Sequence, residues 1–367
     1  MTNKKKVFHL IQSLGNGGCE NMLLRTLPLL SDFEHTIITL KEPGELAPKF
    51  LSAGIRVETI RSRQILHPAG ILRLRKFILN TSPDIVITYL FHADFLGRLA
   101  LLGTTNATVI PFLRTTYNHP RYWIARLFEW LTKPLVRHYL ANSEAVKDFY
   151  IRHIGVASER ITVIPNGIDT AYFDQLAPDL ELRAALSLSP DDFVIICVAN
   201  LHPNKGHRFL LEAFESLRLE FPKTKLLLIG DGEERENIEA MTRALHSKDA
   251  IRLLGRRNDV PALLKLSDLF VLPTLFEGQS NAILEAMAAD VPVITTDIPE
   301  NRCIIKDSIT GLLVPKNDSA AIAGALRKLL SDTTFRKSLT DNAHDTIRDH
   351  HSLSSIRESW TTFLRAL

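Results

Sequence analysis

Residues 271–294 read VLPTLFEGQSNAILEAMAADVPVI, and this stretch decides the fold class. An apolar run ends at Pro273, and a polar turn follows it over residues 277–281. Residues 282–289 are strong helix formers, and a second apolar run covers residues 291–294. Strand, turn, helix and strand in this order predict one βαβ unit of a parallel sheet, and therefore an α/β protein.

The polar turn has the chemistry of an anion-binding site. Ser280 or Asn281 is suited to cap the helix, and Gly278 lets the backbone come close to a ligand. The first amides and the positive dipole end of the helix then attract a phosphate. Two carboxylates, Glu277 and Glu285, flank this point, and carboxylates hold sugar and ribose hydroxyls well. The turn therefore predicts a site for a phosphorylated sugar or a nucleotide sugar.

The spacing of the two glutamates resembles a known family motif. Glu277, seven residues and Glu285, within FEGQSNAILEAMAA, are similar to the E-x7-E motif of retaining GT-B glycosyltransferases of family 4. The resemblance implies that Glu277 is catalytic and meets the donor sugar, and that Glu285 meets the nucleotide ribose. It also implies donor contacts from the segment between them: Gly278, Gln279, Ser280 and Asn281. The alternative is an ordinary helix with two solvated acids.

Length and composition are those of a globular protein with two domains. The chain has 367 residues, of which 45% are hydrophobic and 23% are charged. No apolar run approaches the roughly 20 residues of a membrane span. The start, MTNKKKVFHLIQSL, has lysines before apolar residues as a signal peptide does, but His9 and Gln12 interrupt it and favour a strand. Three distant cysteines lack metal or disulfide spacing, and we expect a reducing cytosol.

Charge is distributed unevenly along the chain. Residues 1–172 hold 21 basic and 13 acidic residues, net +8, whereas residues 173–367 hold 23 and 28, net −5. A basic half fits a membrane surface, a lipid phosphate or nucleic acid. Two of its segments, 61–79 and 119–140, mix basic with apolar or aromatic residues, as membrane-interface helices do. A solvated helix face, or packing beneath a cleft, explains the same patterns, and these alternatives stay open.

A glycine loop follows the first predicted strand, residues 7–11. Gly15, Gly17 and Gly18 precede a predicted helix, an arrangement that suits phosphate binding. Glu20 stands where G-x-G-x-x-G needs its third glycine, so a plain βα turn fits as well. The segment resembles the GG-x-E opening of many family 4 chains, which implies that Gly17 and Gly18 face the donor.

Two further residues follow predicted strands of the first half. His92 comes after the strand at residues 85–89, where ligands gather in open α/β sheets, and Arg114 follows the strand at residues 109–113. His92 resembles part of the family's H-x-H-x-x-x-A segment, without its first histidine, which implies a catalytic role and an acceptor contact. Arg114 stands near a family histidine that meets the reacting sugar. Arginine is not a base at neutral pH but holds phosphate or carboxylate, so only an acceptor contact is implied. A structural role is the alternative for His92.

The second half restarts the same architecture after the turn PNGID at residues 165–169, which resembles a family signature. Lys205 precedes a predicted helix and resembles the lysine of the family's G-R-L-x-x-x-K-G segment, which implies that it neutralises the donor diphosphate. Asn200 stands in place of the family arginine and can donate hydrogen bonds without charge. Arg256 lies in a loop that the family places by the nucleotide base.

The segment after the second apolar run departs from the family pattern. Family members often carry a Gly-Gly pair there, but this chain has Pro299, Glu300 and Cys303. We expect Cys303 to be a packed apolar side chain rather than a reactive thiol.

The resemblance implies two Rossmann-like domains that face each other across a cleft, the GT-B arrangement. The expected boundaries are residues 1–172 for an acceptor-binding domain, 173–190 for a linker, 191–350 for a nucleotide-sugar domain, and 351–367 for a C-terminal helix. The resemblance implies that this helix crosses back to the first domain.

The resemblance implies transfer of a hexosyl group from a nucleoside diphosphate sugar, UDP more than GDP, to a hydroxyl of a glycan or lipid-linked acceptor. The product would be a polysaccharide, lipopolysaccharide or glycoconjugate, with anomeric configuration retained. The sugar nucleotide is a co-substrate, and we expect neither cofactor nor metal, because Lys205 and helix amides supply positive charge. Expected partners are the donor, the acceptor and an anionic membrane surface, but not nucleic acid. The expected location is the cytoplasm or the inner membrane face.

Two alternatives to this function stay open. One is a GT-B nucleotide-sugar epimerase or a phosphorylase. The other is a non-catalytic binding module docked on a membrane.

Overall fold

Two parallel β-sheets organise the chain, each in its own compact unit. The computed structural model describes residues 4–61, 68–103, 107–116 and 122–367. The first unit is Met1–Gly167 with Leu353–Leu367, and the second unit is Ile168–Ser352. The division therefore falls inside the PNGID turn.

In the sheet of the first unit, the order in which successive strands are added reverses at β1. Its described strands are β1 (Lys6–Ile11), β2 (Glu34–Thr39), β3 (Arg56–Thr59), β4 (Ile85–Tyr89), β5 (Thr108–Leu113), β6 (Tyr139–Ala141) and β7 (Ile161–Val163). They lie in the order β3-β2-β1-β4-β5-β6-β7, with parallel pairs. The chain moves outward from β1 to β3 and then returns to the other side of β1. Such a reversal leaves a crevice at the carboxyl ends of β1 and β4, where ligands bind in open α/β sheets.

Helices cover both faces of this sheet. They are α1 (Gly18–Thr26), α2 (Ala47–Ser52), α3 (Pro68–Thr81), α4 (Leu90–Ala100), α5 (Trp123–Thr132), α6 (Glu144–Phe149) and, from the C-terminus, α16 (Leu353–Ala366). Val7 and Ile11 of β1 pack with α1 and α16, whereas Phe8 and Leu10 pack with α3 and α4. Because both faces are buried, the strand is an almost continuous apolar run rather than an alternating one.

The second unit repeats this plan. Its described strands are β8 (Phe193–Val198), β9 (Thr224–Ile229), β10 (Ile251–Gly255), β11 (Leu269–Leu272), β12 (Val293–Thr296) and β13 (Leu312–Val314). Their order is β10-β9-β8-β11-β12-β13, again with parallel pairs, so the reversal lies between β8 and β11. The helices are α7 (Thr170–Gln175), α8 (Leu180–Ala185), α9 (His207–Arg218), α10 (Arg235–Ala244), α11 (Val260–Lys265), α12 (Asn281–Ala288), α13 (Pro299–Arg302), α14 (Ser319–Ser331) and α15 (Thr333–His351).

The C-terminal helix α16 belongs to the core of the first unit. Trp360 is 1% exposed, and its ring meets the edge of Phe112 on β5, with centroids 5.6 Å apart. Ile356 and Leu364 are buried in the same core. The prediction of two Rossmann-like α/β domains with a returning C-terminal helix is confirmed.

Two sequence segments that suggested a membrane interface are only partly described. Arg63 of the first and Arg121 of the second lie outside the described residues. Most of the described remainder of the first segment lies in α3, and the described remainder of the second includes α5 and the start of β6. Among the described residues, no helix combines the length and the hydropathy needed to cross a membrane.

Two histidines are buried between β1, β2 and β4. The carbonyl of Leu30 can only accept, so Nε2 of His35 donates to it (3.2 Å), and Nδ1 of His35 accepts from Nε2 of His9 (2.9 Å). The other nitrogen of His9 accepts from the Tyr89 hydroxyl (2.9 Å). Burial, with the neighbouring His35, holds the pKa of His9 well below its ordinary value. Burial lowers the pKa of His35 to about 4, although its bond to Leu30 opposes this.

Stability should therefore fall as the pH drops from about 6.5, the pKa of an unfolded histidine. Below that pH the unfolded chain binds protons that the folded core, with the pKa of His35 near 4, does not. Each buried histidine adds a slope of up to about 1.4 kcal/mol per pH unit. Urea unfolding at several pH values gives the free energy of unfolding as a function of pH. Its slope should be shallower for the His9→Phe/His35→Leu variant than for the native protein. Identical slopes in the two proteins would contradict the conclusion that burial lowers the pKa values of His9 and His35.

Candidate active site

The helix α12 is fixed at its N-terminus by a side-chain cap. Ser280 has extended backbone, and its hydroxyl accepts a hydrogen bond from the amide of Ile283 (3.4 Å). Ile283, Leu284 and Met287 are fully buried and anchor one face of the helix. The helix begins one residue before the predicted start, and β12 begins two residues after its predicted start.

The turn before α12 is clamped to the turn before α9. The carbonyl of Asn204 accepts hydrogen bonds from the amide of Leu275 (2.7 Å) and the hydroxyl of Thr274 (3.1 Å). Gly206 has a φ of +68°, and a Cβ there would lie 2.1 Å from the carbonyl oxygen of Pro273. Only glycine lets the two turns approach this closely.

This clamp places Lys205 against Glu277. Nζ of the lysine and Oε1 of the glutamate form an ion pair, and the two side chains are only 18% and 12% exposed. The residues are 72 positions apart, but β8 and β11 are neighbours at the point where the strand order reverses. The pair therefore sits at the carboxyl edge of the sheet, beside the N-terminus of α12. A cation for phosphate and a carboxylate for hydroxyls are thus side by side.

The other predicted donor-site residues near Glu277 lie in the turn before α12 or on α12 itself. Gly278, Gln279 and Ser280 are buried, whereas Asn281 and Glu285 on α12 are half-buried. The structure thus gathers Lys205, Glu277 and the start of α12 in one place.

Two other predicted donor residues follow β8 and β10. Asn200 follows β8 and is exposed. Arg256 is also exposed and follows β10, which has β9 and β8 between it and β11. Its neighbour Arg257 is engaged by Asp259, with Nε and Oδ1 2.8 Å apart.

In the first unit, the glycine loop leads into α1, which begins two residues before its predicted start at Glu20. Gly17 is the N-cap of α1 without a side-chain cap, and Gly18 is its first residue. A Cβ on Gly17 would lie 2.5 Å from the carboxylate of Glu20, so the glycine leaves room for that acid. Burial raises the pKa of Glu20, while the nearby charge of Arg114 lowers it. Glu20 was not among the predicted site residues, although the GG-x-E pattern contained it.

His92 and Arg114 line one cavity of about 240 Å³ at the carboxyl ends of the strands. Nδ1 of His92 lies 3.0 Å from Oε1 of Gln12, and burial, with Lys41, lowers the pKa of His92. Arg114 donates from Nη2 to Asn166 (3.1 Å), and its Nη1 is buried without a hydrogen-bond acceptor among the described residues. The two predicted acceptor residues therefore share a site.

The turn that carries His92 is strained. Leu90, the first residue of α4, has a φ of +66°, a left-handed conformation that costs a side chain about 1–2 kcal/mol. Leu90 lines the same cavity and is 42% exposed. Strain of this kind persists where the surrounding structure enforces it, often at a functional site.

The inner wall of this cavity is a buried charge cluster that the sequence did not predict. Arg98 contacts Asp94 (Nη2 to Oδ2, 2.6 Å) and Glu129 (Nη2 to Oε2, 2.7 Å), and all three side chains are 7% exposed or less. Tyr150 donates to the other oxygen of Glu129 (3.2 Å). Asp94, Glu129 and Tyr150 line the cavity. Only the four-residue spacing of Asp94 and Arg98 could have hinted at the cluster.

One sequence expectation is wrong. Cys303 is exposed rather than packed, with Sγ donating to the carbonyl of Pro299 (3.3 Å). It follows the short helix α13, whose buried residues are Glu300 and Asn301. The helix thus turns polar residues inward and leaves the cysteine outside.

Two family profiles match most of the chain. Residues 17–172 match glycosyltransferase family 4, and residues 179–346 match glycosyl transferases group 1. In its fold, the chain is similar to the crystal structure of Anabaena HepE in complex with UDP-glucose. The TM-score is 0.87 at 21% identity, over 99% of this chain and 100% of that one.

Two similar curated proteins act on undecaprenol-linked sugars, by their names. One is the Escherichia coli UDP-Gal:alpha-D-GlcNAc-diphosphoundecaprenol alpha-1,3-galactosyltransferase, 29% identical over 90% of this chain and 89% of that protein. The other is a Campylobacter jejuni 4-alpha-N-acetylgalactosaminyltransferase for a diphospho-undecaprenol acceptor, 24% identical over 92% and 94%. The chain belongs to the family 4, group 1 glycosyltransferases, enzymes with the GT-B fold.

Proposed function

We propose that this enzyme moves a hexosyl group from a UDP-sugar to a hydroxyl of a lipid-linked or polysaccharide glycan, with retention of anomeric configuration. The second unit would bind the donor and the first unit the acceptor. The observation that carries the proposal is the pairing of Lys205 with Glu277 at the N-terminus of α12. That arrangement offers a cation and helix amides to a diphosphate, and a carboxylate to sugar hydroxyls.

In the proposed mechanism, Lys205 and the amides of residues 279–281 stabilise the departing diphosphate. Glu277 positions the donor sugar, and Glu285 holds the ribose. The departing phosphate takes the acceptor proton on the same face of the sugar. The reaction needs no cofactor or metal in this scheme, because the lysine and the helix end neutralise the charge. Glu277 as a covalent nucleophile is the alternative route to retention.

The acceptor site would be the cavity of the first unit. Its His92 and the buried edge of Arg114 offer hydrogen bonds from one wall, and Asp94 and Glu129 form another. Arginine suits a phosphate or a carboxylate, and carboxylates suit hydroxyls. An acceptor sugar linked to a phosphate contains both groups.

The relatives support UDP and a lipid-linked acceptor. The E. coli protein is named for UDP-Gal, for a diphosphoundecaprenol acceptor and for an alpha linkage. The Campylobacter protein is named for an acceptor on the same type of lipid. An acceptor of this kind would hold the enzyme at a membrane surface, as a peripheral protein on its cytoplasmic side.

UDP should raise the melting temperature, and Glu285→Ala should remove that increase. A ligand at about a hundredfold its Kd stabilises a protein by roughly 2.7 kcal/mol, so the shift is measurable by differential scanning fluorimetry. Glu285 is half-buried on α12, where its carboxylate can meet a ribose. The matched control is Glu212→Ala, an exposed glutamate on α9. GDP and NAD should give smaller shifts than UDP.

The outcome also distinguishes the alternatives. A GDP shift larger than the UDP shift would overturn the choice of base, and a shift that survives Glu285→Ala would overturn the ribose contact. Release of UDP from a UDP-hexose only when an acceptor is present would exclude an epimerase. Retention is checked by NMR, from the anomeric coupling constant of the product against that of the donor.

A further inference from the structure

Helix α5 exposes a continuous apolar face. Its five large outward side chains are between 46% and 60% exposed: Trp123, Ile124, Leu127, Trp130 and Leu131. Their spacing of i, i+1, i+4, i+7 and i+8 places them on one side of an α-helix. Leu135, just beyond the helix, adds another side chain that is 50% exposed. Single exposed apolar residues are normal, but a contiguous patch of this kind marks an interaction site.

The opposite face of α5 packs against the first unit. Ala125, Phe128 and Glu129 are buried. The Phe128 ring packs on Phe95 of α4 with centroids 4.5 Å apart, and Glu129 pairs with Arg98 on α4. A rotation that turned the outward face into the core would break both contacts.

The charges around the outward face are basic. The single acid of the helix, Glu129, points inward and is 1% exposed. Arg126 and Arg137 are exposed beside the patch, and Nζ of Lys133 lies 5.9 Å from the Trp130 ring centroid. Tryptophan with lysine or arginine at the rim of an apolar face is the composition of helices that lie in a membrane interface.

A second copy of the chain fits this face less well than a bilayer. In a twofold contact the same patch faces itself, so the basic rim with Arg126 and Arg137 would face a second basic rim. Like charges in such a contact cost affinity. An anionic lipid surface attracts the same residues instead.

We propose that α5 inserts its outward face into the interfacial layer of an anionic membrane and so carries the acceptor cavity to the lipid surface. The inward side of the helix supplies Glu129 to the wall of that cavity. Only the width of one helix, about 10–12 Å, then separates the lipid-facing and cavity-facing sides. The docking itself does not depend on the proposed reaction, whereas the delivery of a lipid-linked acceptor rests on it.

Tryptophan fluorescence tests the docking directly. The chain has three tryptophans, and Trp360 is buried in the core, so a Trp360→Phe protein reports only Trp123 and Trp130. Adding phosphatidylglycerol vesicles should shift its emission to shorter wavelength, and phosphatidylcholine vesicles should not. Vesicle co-sedimentation of the native chain should show the same preference and should weaken as salt rises.

A matched pair of variants localises the effect. Trp123→Ser/Trp130→Ser should weaken binding to phosphatidylglycerol vesicles by at least about tenfold, because two large side chains leave the apolar layer. Leu72→Ser/Leu79→Ser removes two exposed leucines from α3, beside Arg73 and Lys76, and should leave binding unchanged. Unchanged melting temperatures would confirm that both variants fold.

Three results would overturn the proposal: no vesicle binding by the native chain, equal loss in both variants, or a dimer in solution that only the α5 variant disrupts. The reaction is measured separately on a short-chain, water-soluble acceptor and on one embedded in vesicles. The α5 variant should lose transfer only to the embedded acceptor. Vesicle docking without transfer to either acceptor would refute the proposed function and leave the docking supported.

Discussion

Glu277→Gln should lower the rate of sugar transfer by at least about a hundredfold while UDP binds as tightly as before, or more tightly. Loss of one preorganised group that acts on the reacting centre costs about 10²–10³ in rate. Binding should not suffer, because in the free enzyme the carboxylate of Glu277 holds the ammonium of Lys205. An uncharged glutamine of the same shape releases the lysine for the diphosphate. The measurements are kcat and the Kd for UDP by calorimetry.

Lys205→Met should have the complementary effect, with weaker UDP binding and slower transfer together. It removes the cation that the diphosphate would meet, and it leaves Glu277 as an unpaired, 12% exposed carboxylate next to the donor phosphates. Two opposite effects on UDP affinity from the two members of one ion pair would show that the pair opens when the donor binds. Equal loss of UDP binding in Glu277→Gln and Lys205→Met would contradict the proposal that Glu277 contacts the donor sugar.

The chain offers a matched control for the lysine. Lys265 of α11 is 10% exposed and pairs with Asp290 at 3.0 Å, just beyond the C-terminal end of α12. It is thus a second half-buried lysine with a carboxylate partner, at the other end of the same helix. Lys265→Met should leave both kcat and the Kd for UDP unchanged. A defect equal to that of Lys205→Met would mean that general damage to the second unit explains the result.

The position of α12 could be predicted from the sequence because nearby residues determine where this helix begins and ends. A cap residue, a glycine-containing turn and an alanine-rich apolar segment lie within residues 277–289, and the helix at Asn281–Ala288 follows them closely. The pairing of Lys205 with Glu277 has a different origin. It depends on β8 and β11 being neighbours, and strand order is a property of the whole sheet rather than of any local pattern.

The charge cluster behind the acceptor cavity could not be predicted for a related reason. Asp94 and Arg98 are four residues apart on α4, and such a pair normally lies on a solvated face. Glu129 is on another helix, so only tertiary packing shows that the three are buried together. Arg75 is similar: expected on a basic face, it instead donates to the carbonyls of Ala100 and Leu102 at the end of α4 (3.1 and 2.7 Å).

Arg98→Met should destabilise the protein by about 3–5 kcal/mol, the usual cost of removing one partner of a buried ion pair. Arg98 is 1% exposed and serves both Asp94 and Glu129, with a further bond from Nη1 to Thr132 (2.7 Å). Methionine fills much of the same volume but leaves both carboxylates without a counter-charge. Urea unfolding at pH 7.5 would measure the loss. Arg73→Met, on the exposed face of α3, is the control and should change stability by less than about 0.5 kcal/mol.

Two further measurements show whether Arg98→Met destabilises the protein through the loss of a positive charge or through the loss of packing. Adding Asp94→Asn and Glu129→Gln to the variant should restore much of the stability, because neutral side chains do not need the guanidinium. The pH dependence of the free energy of unfolding should also differ between the variant and the native protein. Burial raises the pKa of Glu129 to about 7 although Arg98 opposes it, and removing Arg98 should raise this pKa further. The folded variant then holds a proton on Glu129 at pH values where the native protein has lost it, so its stability relative to the native protein should increase as the pH falls from 7.5 to about 6. A stability difference that is independent of pH would assign the effect to packing alone.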